Sequence, residues 1–70
     1  MTDRVAYRAF IDAACALAGS VEFEDRLAID PTIHADRSEE AAKMRAENRQ
    51  KEIIAYRAAK DAFMEAVTAK

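Results

Sequence analysis

Residues 16 to 31 read ALAGSVEFEDRLAIDP and hold the only glycine and the only proline of the chain. Whether a helix entering at Ala16 ends at Gly19 or runs on decides the fold. Glycine is the usual residue just past a helix end, because it has no Cβ to oppose a left-handed backbone. Gly19 therefore predicts the stop of a first helix spanning about Asp3 to Ala18, with Thr2 or Asp3 as its cap. On a helical wheel its apolar face gathers Ala6, Tyr7, Phe10, Ile11, Ala13, Ala14, Leu17 and Ala18. Arg4, Arg8, Asp12 and Cys15 fall outside it, with Arg8 and Asp12 spaced for an i,i+4 ion pair on the solvent side.

Beyond Gly19 the pattern is divided. The alternation Val21-Glu22-Phe23-Glu24 suits a short extended piece, whereas the Phe23 to Leu27 spacing suits a helical turn or two after Ser20. Asp30-Pro31 marks a boundary, since proline disfavours a helical residue before it and is welcome at the first position of a helix. Residues 20 to 37 are read as a connector containing a short helix or turn. Its apolar side chains, Val21, Phe23, Leu27, Ile29 and Ile33, are expected to fold onto the helices.

The second helix is expected to start at about Ser38, whose hydroxyl suits a cap, with Glu39 and Glu40 favourably placed against the helix dipole. A start with Asp30 as cap and Pro31 first also fits. No glycine or proline follows up to Lys70, which gives a helix of about 30 residues, or roughly 45 Å. The predicted fold is all-α: a single domain over residues 1–70, an antiparallel helical hairpin with a short N-terminal helix and a C-terminal helix about twice as long.

Two halves of that long helix differ. Ala55, Tyr56, Ala59, Ala62, Phe63, Ala66 and Val67 form an apolar stripe for the first helix to cover. Small residues on both partners predict a close alanine seam flanked by Phe10, Leu17, Tyr56 and Phe63. Upstream, residues 45 to 52 read RAENRQKE and interrupt any sustained apolar heptad. A helix 1 ending at Ala18 would not reach them. Yet Arg45, Asn48, Arg49 and Glu52 continue the line of the stripe, so they are assigned as partner-binding residues suited to an interface rim. Ile53, Ile54, Tyr56 and Met64 widen the apolar surface beyond what one short helix covers and are assigned to a dimer or packing interface.

Composition narrows the function. Of the 70 residues, 34% are charged with a formal net charge of −2, which gives neither a basic surface for nucleic acid nor an acidic mimic of it. Seventeen alanines leave few large apolar side chains, and a chain of this size buries only about 60% of its unfolded surface. One cysteine allows no internal disulfide, and a lone histidine, His34, provides no zinc cluster. Oligomerisation or a partner is the expected supplement, and a homodimer the simplest form. Cys15 is expected to be a helix-edge residue and His34 a surface residue. Glu22, Glu24 and Asp25, like Asp36, Glu39 and Glu40, follow no calcium-loop spacing. No phosphate-binding glycine loop is present.

We therefore expect no enzyme, no cofactor and no metal. The expected function is a small protein–protein interaction module, a regulator, adaptor or inhibitor of a larger protein or complex, of the kind found among phage and mobile-element accessory proteins. The alternative is a helical nucleic-acid-binding regulator using Arg45 and Arg49, which share a helix face while Lys43 and Lys51 lie apart from it. No apolar run is long enough to span a membrane. The start MTDRV has no signal-peptide pattern, which leads to the expectation of a cytoplasmic protein.

Overall fold

The structure, a computed structural model, describes residues 2 to 69. It consists of two helices, α1 (Asp3–Ile29) and α2 (Glu39–Thr68), packed as a hairpin. Each helix starts where a side-chain cap is available. Thr2 is extended, and its Oγ1 accepts from the Val5 amide at 3.3 Å. Ser38 is likewise extended, and its Oγ accepts from the Ala41 amide at 3.2 Å, with Glu39 and Glu40 in the first turn behind it.

The first helix corrects one expectation. It does not stop at Gly19 but runs on through residues 20 to 29, so α1 has 27 residues against 30 in α2. The connector shrinks to residues 30–38, with a turn at Pro31 and Thr32 and no helix of its own. Gly19 lacks the positive φ that a C-terminal glycine cap uses. It sits in the helix as an ordinary residue, at a cost of about 1 kcal/mol relative to alanine, and that cost is outweighed by contacts on the turns that follow.

Those turns keep a pattern that apolar counting misses. On α1 the inward positions are Ala6, Phe10, Ala13, Leu17, Ser20, Glu24 and Leu27, and on α2 they are Arg45, Arg49, Glu52, Tyr56, Ala59, Phe63 and Ala66. Both sets alternate steps of four and three, the spacing that keeps one seam facing a partner helix. All are buried or half-buried. The heptad thus continues through RAENRQKE, with polar residues in its inward positions.

The seam has two halves. Toward the chain ends it is aromatic. Phe10 stacks on Phe63 at 5.6 Å between centroids and meets Tyr56 at 5.6 Å, and Tyr7 tilts onto Phe63 at 5.5 Å. Ala6 lies in this half at 1% exposure, and Ala13, Ala59 and Ala66 are half-buried beside the rings. Toward the connector the seam is polar, and Leu27 closes it.

The connector is held by polar bonds. Asp30 precedes proline and takes the extended backbone that proline imposes. Its Oδ1 accepts from the Thr32 amide at 2.9 Å and from the Thr32 hydroxyl at 2.6 Å. The Arg37 guanidinium donates to the Leu27 carbonyl, an acceptor that the end of α1 leaves open, and to the Asp30 and Ile33 carbonyls of the connector.

A two-helix layer leaves much surface exposed. The molecule measures 49 × 19 × 13 Å with a radius of gyration of 15.4 Å, against about 11 Å for a compact chain of this length. Its accessible surface is 5575 Å², about 1,200 Å² more than the roughly 4,400 Å² expected of a compact monomer of its mass. Among the described residues Ala6 and Leu27 alone are buried apolar side chains.

Replacing Gly19 by alanine should stabilise the hairpin. A Cβ there meets nothing within 4 Å, so removal of glycine's helix cost is unopposed. Thermal unfolding of Gly19→Ala should shift upward by a few degrees, equivalent to about 0.5–1 kcal/mol. A lowered midpoint would contradict a continuous helix through this position.

Candidate interaction surface

The polar half of the seam places the residues singled out from RAENRQKE. Glu24 on α1 is their common partner. Its Oε1 accepts from Arg45 Nε at 2.7 Å and lies 3.9 Å from Arg49 Nη1. Arg45 also donates from Nη1 to the Asp36 carbonyl at 2.9 Å, so one guanidinium ties α1, α2 and the connector together. One turn closer to the aromatic half, the Ser20 hydroxyl donates to Glu52. The side chains of Arg45 and Glu24 are 24% and 34% exposed, burial enough to make this pair stronger than a surface one.

The premise that these residues extend past helix 1 is therefore corrected. Arg45, Arg49 and Glu52 face α1, because α1 continues beside them. Asn48 is the exposed member of the group. With Arg45, Arg49, Phe23, Gly19 and Ala16 it lines a shallow open trough of about 410 Å³ along one flank of the hairpin. The floor of the trough is the Ser20 and Glu24 side of the seam. Ser20 and Glu24 stay hidden as site residues in a sequence that places residues 20 to 37 in a connector. The steps of four and three from Leu17 to Ser20, Glu24 and Leu27 were the signal that could have found them.

The four residues assigned to a dimer or packing interface separate into two pairs. Tyr56 and Ile53 are half-buried in the hairpin, with Tyr56 against Phe10 and under the Lys60 ammonium at 6.0 Å. Ile54 and Met64 remain 59% and 53% exposed, and the connector does not fold back over either. Tyr7, Val21 and Val67 are exposed as well, at 52%, 45% and 44%.

The remaining sequence candidates are peripheral. Cys15 and His34 are exposed. Arg8 Nε lies 3.4 Å from Asp12 Oδ1 with both side chains open to solvent, as their spacing predicts. Among the described residues no group of three His, Cys, Asp or Glu is arranged to hold a metal ion, and no helix is long and apolar enough to cross a membrane. The two carboxylates held below their ordinary range belong to the connector. Asp30 is lowered by the Thr32 hydroxyl, then by the Thr32 amide and the charges of Arg37 and Arg26. Asp36 is lowered by the Ser38 amide, then by the Ser38 hydroxyl and Arg45.

Two outcomes follow. Glu24→Gln removes the counter-charge of two arginines that stay on the seam and should cost on the order of 1–2 kcal/mol in denaturant unfolding. In a double-mutant cycle with Arg45→Met, most of that loss should appear as coupling, and a coupling of zero would refute the clamp. Acid should also weaken the fold. Asp30 and Asp36 bind protons less readily folded than unfolded, so their stabilisation is full above about pH 4 and is lost as pH falls through their lowered folded values. Asp30→Asn with Asp36→Asn keeps an acceptor oxygen at each site and should flatten the fall of the thermal midpoint between pH 5 and pH 2. An unchanged slope would count against this assignment.

Compared with known proteins, the chain matches no protein-family model, no curated protein and no solved structure.

Proposed function

We propose that this chain is a non-enzymatic protein–protein interaction module that regulates, adapts or inhibits a larger protein or complex. The observation that carries this reading is the mismatch between the hairpin and its own surface. A 7.8 kDa chain exposes 5575 Å² and buries two apolar side chains among its described residues. Large apolar side chains left open on a small domain are the usual mark of a protein contact surface. The contacts that do form inside the hairpin fix its shape, so the surface is offered on a preorganised frame rather than on loops.

The trough supplies the partner-specific part of this reading. Its open edges combine Phe23 with the Asn48 amide, and its arginines are oriented by Glu24. Aromatic and arginine groups with a polar rim suit recognition of a protein surface. The nucleic-acid alternative draws less support. Phosphate binding gains from unopposed cations, and Arg45 and Arg49 share the Glu24 carboxylate as counter-charge.

A photoreactive amino acid placed at Asn48, and separately at the exposed Ala58 of α2, tests this in lysate of the native host. The expected result is an adduct to one larger protein from position 48 that is absent from position 58. Equal background from both positions, together with duplex DNA bound in the micromolar range at 150 mM salt, would replace the proposal by the nucleic-acid alternative.

A further inference from the structure

One flank of the hairpin carries a second seam that α2 covers only along one edge, where Tyr7 leans on Phe63 and Ile11 and Ala14 are half-buried. On α1 the residues Tyr7, Ile11, Ala14, Ala18 and Val21 follow one another in steps of four and three, repeating on the flank the spacing used inside the hairpin. Tyr7 and Val21 are about half exposed, and Val67 of α2 extends the same apolar surface at 44% exposure. This flank lies opposite the one that carries Ala16, Phe23 and Asn48, so the trough and the seam are separate surfaces. We propose that the occupant of this seam is a second copy of the chain. The two α1 helices would pack antiparallel about a two-fold axis at Ala14, and two hairpins would become a four-helix bundle. The inference rests on reading the chain as an interaction module and names its first partner.

Three observations favour a second copy. The first is symmetry of size. The seam is a near-palindrome about Ala14, so reversal brings Tyr7 opposite Val21 and Ile11 opposite Ala18, a larger side chain against a smaller one each time. An isologous contact requires such self-complementarity.

The second is charge. Arg4 and Arg8 sit at the N-terminal end of this flank, and Glu22 and Asp25 at its C-terminal end. An antiparallel pair sets Arg4 against Asp25 and Arg8 against Glu22 of the other copy, twice over, whereas a parallel pair sets like against like. Among the described residues, Arg4, Glu22 and Asp25 take part in none of the ion pairs inside the hairpin, and Arg8 pairs only with Asp12, in an exposed contact. On α2, Arg57 and Lys60 lie on the corresponding flank. An axis near these two residues would bring like charges together, whereas an axis at Ala14 on α1 pairs opposite charges.

The third is area. The hairpin exposes about 1,200 Å² beyond a compact monomer of its mass, and a standard interface removes about 800 Å² from each partner.

Sedimentation equilibrium of the full chain at 5 to 100 µM tests the proposal, with far-UV circular dichroism as a check that each variant stays helical. The expected mass is twice 7.8 kDa. Ala14→Glu places like charges on the axis and should weaken the dimer at least ~100-fold. Reversing Arg4 and Arg8 to Glu should weaken it ~10-fold or more, and adding Glu22→Arg with Asp25→Arg should restore it. Cysteine cross-linking reads the same axis even if a charge variant fails to fold. In a Cys15→Ser background, Ala14→Cys should join two copies by a disulfide under mild oxidation. Arg4→Cys should not, because its two copies lie about 30 Å apart along the helices. A wild-type monomer throughout the range overturns the dimer, as does a dimer unmoved by a folded Ala14→Glu. Equal cross-linking at both positions, or a folded fourfold variant that stays weak, overturns the antiparallel axis. The reading as an interaction module fails separately, since its test reads adducts to a larger protein at the trough.

Discussion

The carboxylate of Glu24 is the contact on which the hairpin half near the connector depends. It sits between Arg45 and Arg49, two guanidiniums on the inward face of α2. Without an acidic partner, those arginines could not stay on the seam at the cost of partial desolvation. With it, α1 has a reason to continue past Gly19 for ten more residues, and α2 gains a partner along the polar stretch that apolar patterning leaves unassigned. Arg45 adds a bond to the Asp36 carbonyl, so the pairing that aligns the helices also fixes the connector.

The halves of the seam divide the work of folding. The aromatic half provides most of the dispersion and apolar burial, through Phe10, Tyr56 and Phe63. It is tolerant of register, because rings and alanines can slide past one another. The polar half contributes less to stability, since hydrogen-bonded charge pairs are offset by their desolvation. It is demanding of geometry, however. Ser20 must meet Glu52 while Glu24 meets Arg45, and a shift of one helical turn breaks both. A single polar layer at inward heptad positions is a known way to set register in paired helices.

Neither half makes a closed core. A hairpin has one interior seam and several outer faces, and α1 and α2 together still leave Tyr7, Val21, Ile54 and Met64 largely exposed. A third layer is the physical remedy for a two-helix structure of this size. The contact proposed at Ala14 would provide that layer on one flank and leave the trough near Asn48 open on the other. The molecule would then present a stable double hairpin with two equivalent troughs.

The sequence by itself determined where the two helices begin and the class of the fold. Thr2, Ser38 and the Asp30-Pro31 boundary act within a few residues of themselves, through a hydroxyl on a nearby amide or a ring against the preceding backbone. The aromatic half was also legible, because Phe10, Tyr56 and Phe63 are apolar at helical spacing. The length of α1 was not. Gly19 carries a local signal for a helix end that is worth about 1 kcal/mol. That signal is overruled by contacts from Ser20 and Glu24 to residues 32 and 21 positions away along the chain. A polar residue in a sequence window looks solvated until its partner is known. Glu24, Arg45, Arg49 and Glu52 became inward residues only when the tertiary pairing brought donors and acceptors together. Local chemistry set where helices begin, and the pairing of distant charges decided how far the first one runs.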